Sequence, residues 1–82
     1  MMKLAVFASG SGSNFGAIME AIRDQRIQGA EIVLLVCDKP GAYVLERAAS
    51  YEVPTFVFSA KDYPNKVAFE TEILRQLDEA GV

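Results

Sequence analysis

An open, parallel α/β sheet with the element order βαβαβα is the fold predicted by this sequence of 82 residues. Three observations carry the prediction. Lys3 to Ala8 and Ile32 to Cys37 are short apolar runs without polar alternation, as in strands covered on both faces of a parallel sheet. Each is followed by a segment in which the apolar residues recur with helical period. The links between segments are short, so successive strands are joined by crossovers and run in the same direction.

The elements follow in order. After the first strand, Ser9 to Asn14 interrupt the apolar run with residues that favour turns and helix starts. Phe15, Ile18, Met19 and Ile22 then form one helical face, with Glu20, Arg23, Asp24 and Gln25 largely opposite and Gly29 as a stop for the helix or the loop after it. The second strand ends at Cys37, and Asp38-Lys39-Pro40-Gly41 make a turn. A second helix is predicted over Ala42 to Tyr51, with Val44, Leu45, Ala48 and Ala49 inward and Glu46 and Arg47 outward. Pro54 opens a third strand, Thr55 to Phe58, at a position where its missing N–H does least harm. A longer loop leads to a third helix from about Asn65, with Phe69, Ile73, Leu74 and Leu77 inward and Gly81 at its end. The whole reads as a Rossmann-like parallel sheet.

The pattern stops at Val82 without a further strand, although a doubly wound sheet places its first strand centrally. The sheet is therefore expected to be incomplete, with residues 1–82 forming a nucleotide-binding portion of a longer domain. The first strand is expected to be an exposed edge prone to self-association.

Composition narrows the function classes. At 51% hydrophobic and 23% charged residues the chain is ordinary for a globular domain, which argues against disorder. Its net charge of −3, with scattered tyrosines, argues against nucleic-acid binding. Cys37 is the only cysteine and there is no histidine, which leaves no intramolecular disulfide, no multi-cysteine metal site and no imidazole base. Cys37 itself reads as a small packed thiol. No stretch approaches the roughly 20 apolar residues that span a bilayer, and the N-terminal run is too short for a signal peptide. A cytoplasmic protein without membrane or metal is expected.

The chemistry lies in the first loop, Ser9-Gly10-Ser11-Gly12-Ser13-Asn14. It follows a strand and precedes an amphipathic helix, the setting in which a Gly-rich segment binds phosphate. Gly10 and Gly12 let a ligand approach the backbone, and Ser13 or Asn14 is expected as the N-cap. Free N–H groups and the helix dipole favour an anion there, with the Ser11 and Ser13 hydroxyls and the Asn14 amide as further donors. A P-loop needs Gly-Lys-Ser/Thr, and Gly12-Ser13-Asn14 has no lysine. The dinucleotide fingerprint needs a third glycine where Phe15 stands, but Asp38 lies 22 residues after Gly16, where a ribose acid belongs. The dinucleotide-binding half of an NAD(P)-dependent oxidoreductase is thus a rival reading, and a non-catalytic nucleotide-binding module is another.

Four blocks sharpen the choice: Ala8 to Phe15, Cys37 to Ala42, Leu45 to Ala48 and Lys61 to Lys66. In this order and spacing the sequence resembles the phosphoribosylglycinamide formyltransferases of de novo purine synthesis, over essentially the whole chain. The resemblance implies transfer of a formyl group from the co-substrate 10-formyltetrahydrofolate to glycinamide ribonucleotide. It implies that Gly12, Ser13 and Asn14, flanked by Gly10 and Ser11, bind the 5′-phosphate and that Lys66 lies on the folate side. It places the family's catalytic Asn, His and Asp in a later half, so the segment alone is expected to carry no catalytic residue and no activity.

Overall fold

A computed structural model describes residues 2–82, apart from the side chain of Ala60. The elements are β1 (Met2–Ala8), α1 (Ser13–Arg23), β2 (Ala30–Cys37), α2 (Val44–Ser50), β3 (Thr55–Val57) and α3 (Lys66–Ala80). A single 3-10 turn, Ala60–Asp62, precedes α3. The strands form one sheet in the order β1-β2-β3, and both pairings are parallel. This is the predicted open α/β sheet. β3 has only three residues, although the Phe58 N–H still donates to the Cys37 carbonyl at 3.0 Å. Pro54 contributes the group it retains, its carbonyl accepting from Leu35 N–H at 2.9 Å.

Two apolar layers sandwich the sheet. On one face Phe15 of α1 and Val44 and Ala48 of α2 pack with Ile32, Leu35 and Cys37, supported by Leu4, Val6 and Ala8. On the other, Leu34, Val36 and Phe58 pack with Phe69, Ile73 and Leu77 of α3. Ile32 and Leu34 are two residues apart yet lie in different layers. The cause is a bulge: Leu4 pairs with Ile32 and Ala5 with Leu34, so Val33 is skipped and the alternation resets. β2 is consequently the keystone. Leu35 and Val36 are essentially fully buried on opposite faces, and truncating either to alanine is expected to cost about 2–5 kcal/mol. Phe58 stacks on Phe56 and Phe69, with ring centroids 5.6 and 5.5 Å away, giving the short third strand its anchorage to α3.

Several sequence expectations shift. β1 is covered only in part: Leu4, Val6 and Ala8 pack on one layer and Ala5 on the other, while Met2 and Phe7 are exposed. α2 begins at Val44, two residues later than Ala42, after turns in which Leu45 N–H and Glu46 N–H bond three residues back. Ala49 is exposed on α2. On α3, Leu74 is 65% exposed, where an inward position was expected. Gly29 does adopt φ 77, but in the loop, since α1 has already closed at Asp24 and Gln25. The start of α3 agrees with expectation, with the Asn65 side chain accepting from Ala68 N–H at 2.9 Å. Among the described residues no helix is long and apolar enough to cross a membrane.

Candidate phosphate-binding loop

The loop between β1 and α1 lies at the carboxyl edge of the sheet, where ligands bind in open α/β folds. Residues Val6 to Phe15 line a hollow of about 270 Å³. A second hollow of about 220 Å³ adjoins it through Phe7, Ala8 and Ser9, and reaches Val36, Asp38 and Phe58. Each is below the roughly 300–1,000 Å³ of a complete small-molecule pocket.

Gly12 sets the geometry. It occupies the N-cap position of α1 with φ 75 and ψ 28, and no side chain caps the helix. The expectation of Ser13 or Asn14 as N-cap is therefore corrected. Both are the first residues of α1 itself, and both are exposed. The reason is steric. A Cβ on Gly12 would lie 2.3 Å from Val44 Cγ2, and the left-handed backbone also disfavours a side chain. Relieved of capping, the Ser13 hydroxyl and Asn14 amide remain available to a ligand. Gly10 is outside the left-handed region and has nothing within 4 Å of an added Cβ, so its freedom is not used in the fold.

The hydrogen bonds divide the loop by polarity. The Gly10 carbonyl accepts from Val44 N–H at 3.1 Å, and the Gly12 carbonyl from Gly16 N–H at 2.8 Å. The Ser11 carbonyl accepts from Arg47 Nε at 2.7 Å. Among the described residues, no backbone N–H from Ser9 to Phe15 donates to a protein acceptor. The loop therefore turns its acceptors toward α2 and the helix interior and keeps its donors in reserve. Free amides at a helix N-terminus are the kind of donors that suit an anion, and no lysine is needed for that.

Arg47 corrects the sequence reading, which placed it outward. It is half-buried, its guanidinium 5.1 Å from the Tyr43 ring centroid and braced on the loop. A helical-face count could not find it, because the contact is with a loop 36 residues earlier. Phe15, at the position of the missing third glycine, is 1% exposed and anchors the core. Gly16 takes over the close-approach role, since an added Cβ there would meet the Arg47 guanidinium at 3.0 Å. Asp38 is exposed beside the second hollow. Cys37 is fully buried, its thiol donating to the Lys39 carbonyl at 3.3 Å, as expected of a packed cysteine.

Lys66 is not brought to the loop. It lies in the first turn of α3, on the opposite face of the sheet from α1, with Nζ 3.7 Å from Glu70 Oε1. Among the described residues no group of three His, Cys, Asp or Glu side chains is placed to hold a metal ion.

Comparison with known proteins gives a consistent result. The model of the formyl transferase family matches residues 2–82. Phosphoribosylglycinamide formyltransferase of Bacillus subtilis (strain 168) is 52% identical over 77 residues, which are 94% of this chain and 39% of that protein. The trifunctional purine biosynthetic protein adenosine-3 of Drosophila pseudoobscura pseudoobscura is 45% identical over 82 residues, covering 98% of this chain and 6% of its own length. The crystal structure of glycinamide ribonucleotide transformylase 1 from Geobacillus kaustophilus superposes with a TM-score of 0.96 at 58% identity, over 100% of this chain and 43% of that one. The chain thus spans about two fifths of the length of these bacterial relatives.

Proposed function

We propose, because the chain belongs to the formyl transferase family, that its first loop binds the 5′-phosphate of glycinamide ribonucleotide. In this reading residues 1–82 are the nucleotide-binding portion of a phosphoribosylglycinamide formyltransferase. The complete enzyme would transfer the formyl group of 10-formyltetrahydrofolate to the glycinamide amine. The names of the bacterial relatives support the substrate assignment. The observation that carries the local role is the run of uncommitted amides, Ser11 to Phe15, lining one hollow while the loop's carbonyls are held elsewhere.

Gly12, Ser13 and Asn14 are the central contacts, with Gly10 and Ser11 flanking them. A phosphate ester dianion here meets backbone N–H groups and the positive end of α1. Lys66, separated from the loop by the sheet, is assigned to the folate side. Formyl transfer needs the amine nitrogen to bond to the formyl carbon while the carbon–N10 bond breaks and the amine proton leaves. That calls for a titratable group near neutral pH and donors for the developing oxyanion. This chain has no histidine, and it serves as the substrate's anchor without turning over alone.

The test is a titration of the isotope-labelled chain with glycinamide ribonucleotide and, separately, with NAD(P). The ribonucleotide is expected to move the Gly12, Ser13 and Asn14 amide resonances, and Asn14→Ala to weaken binding about tenfold. Movement of Asp38 with NAD(P), and none of the loop with the ribonucleotide, would transfer the chain to the dinucleotide-binding class. Formyl transfer by the purified chain would refute its assignment as an anchor only.

A further inference from the structure

We infer that Arg47 is a positioning residue of the phosphate loop, holding the Ser11–Gly12 peptide so that the Gly12 N–H faces the anion. The inference rests on the phosphate-binding reading above. It starts from the planarity of the trans peptide, in which the carbonyl and the following N–H point in opposite directions. Three consecutive peptide units of the loop have their carbonyls held, which directs the N–H groups of Ser11, Gly12 and Ser13 the other way. The first and third carbonyls are held by backbone donors, Val44 N–H and Gly16 N–H, at 3.1 and 2.8 Å. Those bonds come with the packing of α2 and the first turn of α1. The middle one depends on a single side chain, Arg47 Nε, at 2.7 Å.

That middle unit is also the one most able to turn. It precedes Gly12, and glycine populates both signs of φ at little cost. Without Arg47, rotation of the unit exchanges an N–H for a carbonyl oxygen on the side where a phosphate would sit, which replaces attraction by repulsion. With Arg47 in place, the carbonyl accepts a charge-assisted bond, and polarisation through the same peptide strengthens the Gly12 N–H as a donor.

The seat of the guanidinium is equally specific. Gly16 has no side chain to obstruct it, and the Tyr43 ring lies 5.1 Å from its carbon. Among the described residues no carboxylate lies within ion-pair distance of Arg47, whereas Arg23, Arg26 and Arg75 all have such partners. Its charge is therefore not cancelled beside a loop that has no lysine of its own. A lysine lacks the planar fork and does not reproduce the Nε geometry.

The full 82-residue chain is compared with Arg47→Met, Arg47→Lys and Gly16→Ala, using inorganic phosphate and glycinamide ribonucleotide as probes. Arg47→Met is expected to weaken both ligands about tenfold, and Arg47→Lys to recover only part of the loss. The ligand-induced shift of the Gly12 amide should disappear while that of Ser13 persists, a selectivity that general unfolding does not produce. Gly16→Ala brings a Cβ to 3.0 Å from guanidinium Nη1, which gives way by a few tenths of an ångström, so the Gly12 shift should shrink but persist. If Arg47→Met proves unstable, the partial loss at Gly12 in Arg47→Lys carries the test. Wild-type affinity in Arg47→Met, or in Arg47→Lys where Arg47→Met does not fold, or uniform loss across the loop amides, overturns the role of Arg47 alone. Failure of the unmodified chain to bind either probe overturns the phosphate reading and takes this inference with it.

Discussion

Gly12 and Gly10 occupy the same motif but do different work, and single substitutions separate them. Gly12→Ala places a Cβ 2.3 Å from Val44 Cγ2 at φ 75, combining left-handed strain with overpacking against α2. Together these are expected to cost about 2–4 kcal/mol, measured as a lowered midpoint in urea. Gly10→Ala meets nothing within 4 Å, and its stability should stay within about 0.5 kcal/mol of the parent. If the two variants were equally stable, packing on α2 would not be what Gly12 is for. The sequence marked both glycines as places where backbone meets ligand. It could not separate them, because the decisive neighbour, Val44, is 32 residues further along. Arg47 was illegible for the same reason. Its identity was plain, but its partner, the Ser11 carbonyl, is a backbone atom that no pattern of side chains announces.

α1 and α2 are closed by residues that composition does not flag, whereas α3 ends on the expected Gly81 at φ 83. α1 ends with Arg26 N–H on the Ala21 carbonyl and Gln25 N–H on Ile22, and α2 with Val53 N–H on Ala48 and Glu52 N–H on Ala49. Both are Schellman closures, and their left-handed residues are Gln25 at φ 64 and Glu52 at φ 58 rather than glycine. Replacing either by glycine relieves about 1–2 kcal/mol of strain and gives back about 0.5–1 through the freer unfolded chain. A net gain of about 0.5–1 kcal/mol is expected, seen as a higher thermal midpoint in Gln25→Gly and Glu52→Gly; a fall in either would show that the side chain is needed there. In α3 the Glu72 carboxylate accepts from Arg75 Nε at 2.9 Å and from Gln76 at 3.1 Å. The Arg75 bond, then the Gln76 bond, lower its pKa from the ordinary 4.5 to about 2. As pH falls the unfolded chain takes up this proton before the folded one. The contribution of Glu72 is therefore complete above pH 4.5 and is lost between there and about pH 2. Glu72 is half-buried but its partner Arg75 is exposed, so the effect is small and screened by salt. Glu72→Gln should flatten the acid limb of the melting profile at low ionic strength, and an unchanged limb would count against the Arg75 contact. The predicted starts and faces of the helices were largely legible, since burial imposes a period. Leu74, expected inward, is 65% exposed beside the hollow it lines with Phe7 of β1.

The sheet order explains both the site and the chain's main liability. Alternating strands and helices with short links were enough to read a parallel sheet from the sequence, because few connections satisfy that pattern. The bulge at Val33 was not legible, since it appears only when β2 must fill two layers while keeping register with β1. β1, which carries the loop, pairs on one side only. Its Met2 and Phe7 are 65% and 59% exposed. Phe7 joins Phe69, Ile73, Leu74 and Leu77 around an apolar hollow of about 430 Å³. An unpaired strand edge beside exposed apolar side chains is a template for further pairing, and the chain places no proline or bulge on β1 itself to blunt it, Lys3 being its one charge. The prediction is that this chain associates with itself in a concentration-dependent way, read by sedimentation equilibrium. Phe7→Lys adds a charge at the exposed position without disturbing a buried contact, and should shift the chain toward monomer with its thermal midpoint nearly unchanged. A wild-type chain that stays monomeric at every concentration would show the edge to be protected as it stands. Equal association in wild type and Phe7→Lys would place the contact elsewhere on the molecule. The loop gives a third reading of the same experiment. Its hollow begins at Val6 and Phe7, so pairing at β1 crowds the carboxyl edge, and glycinamide ribonucleotide and self-association should compete.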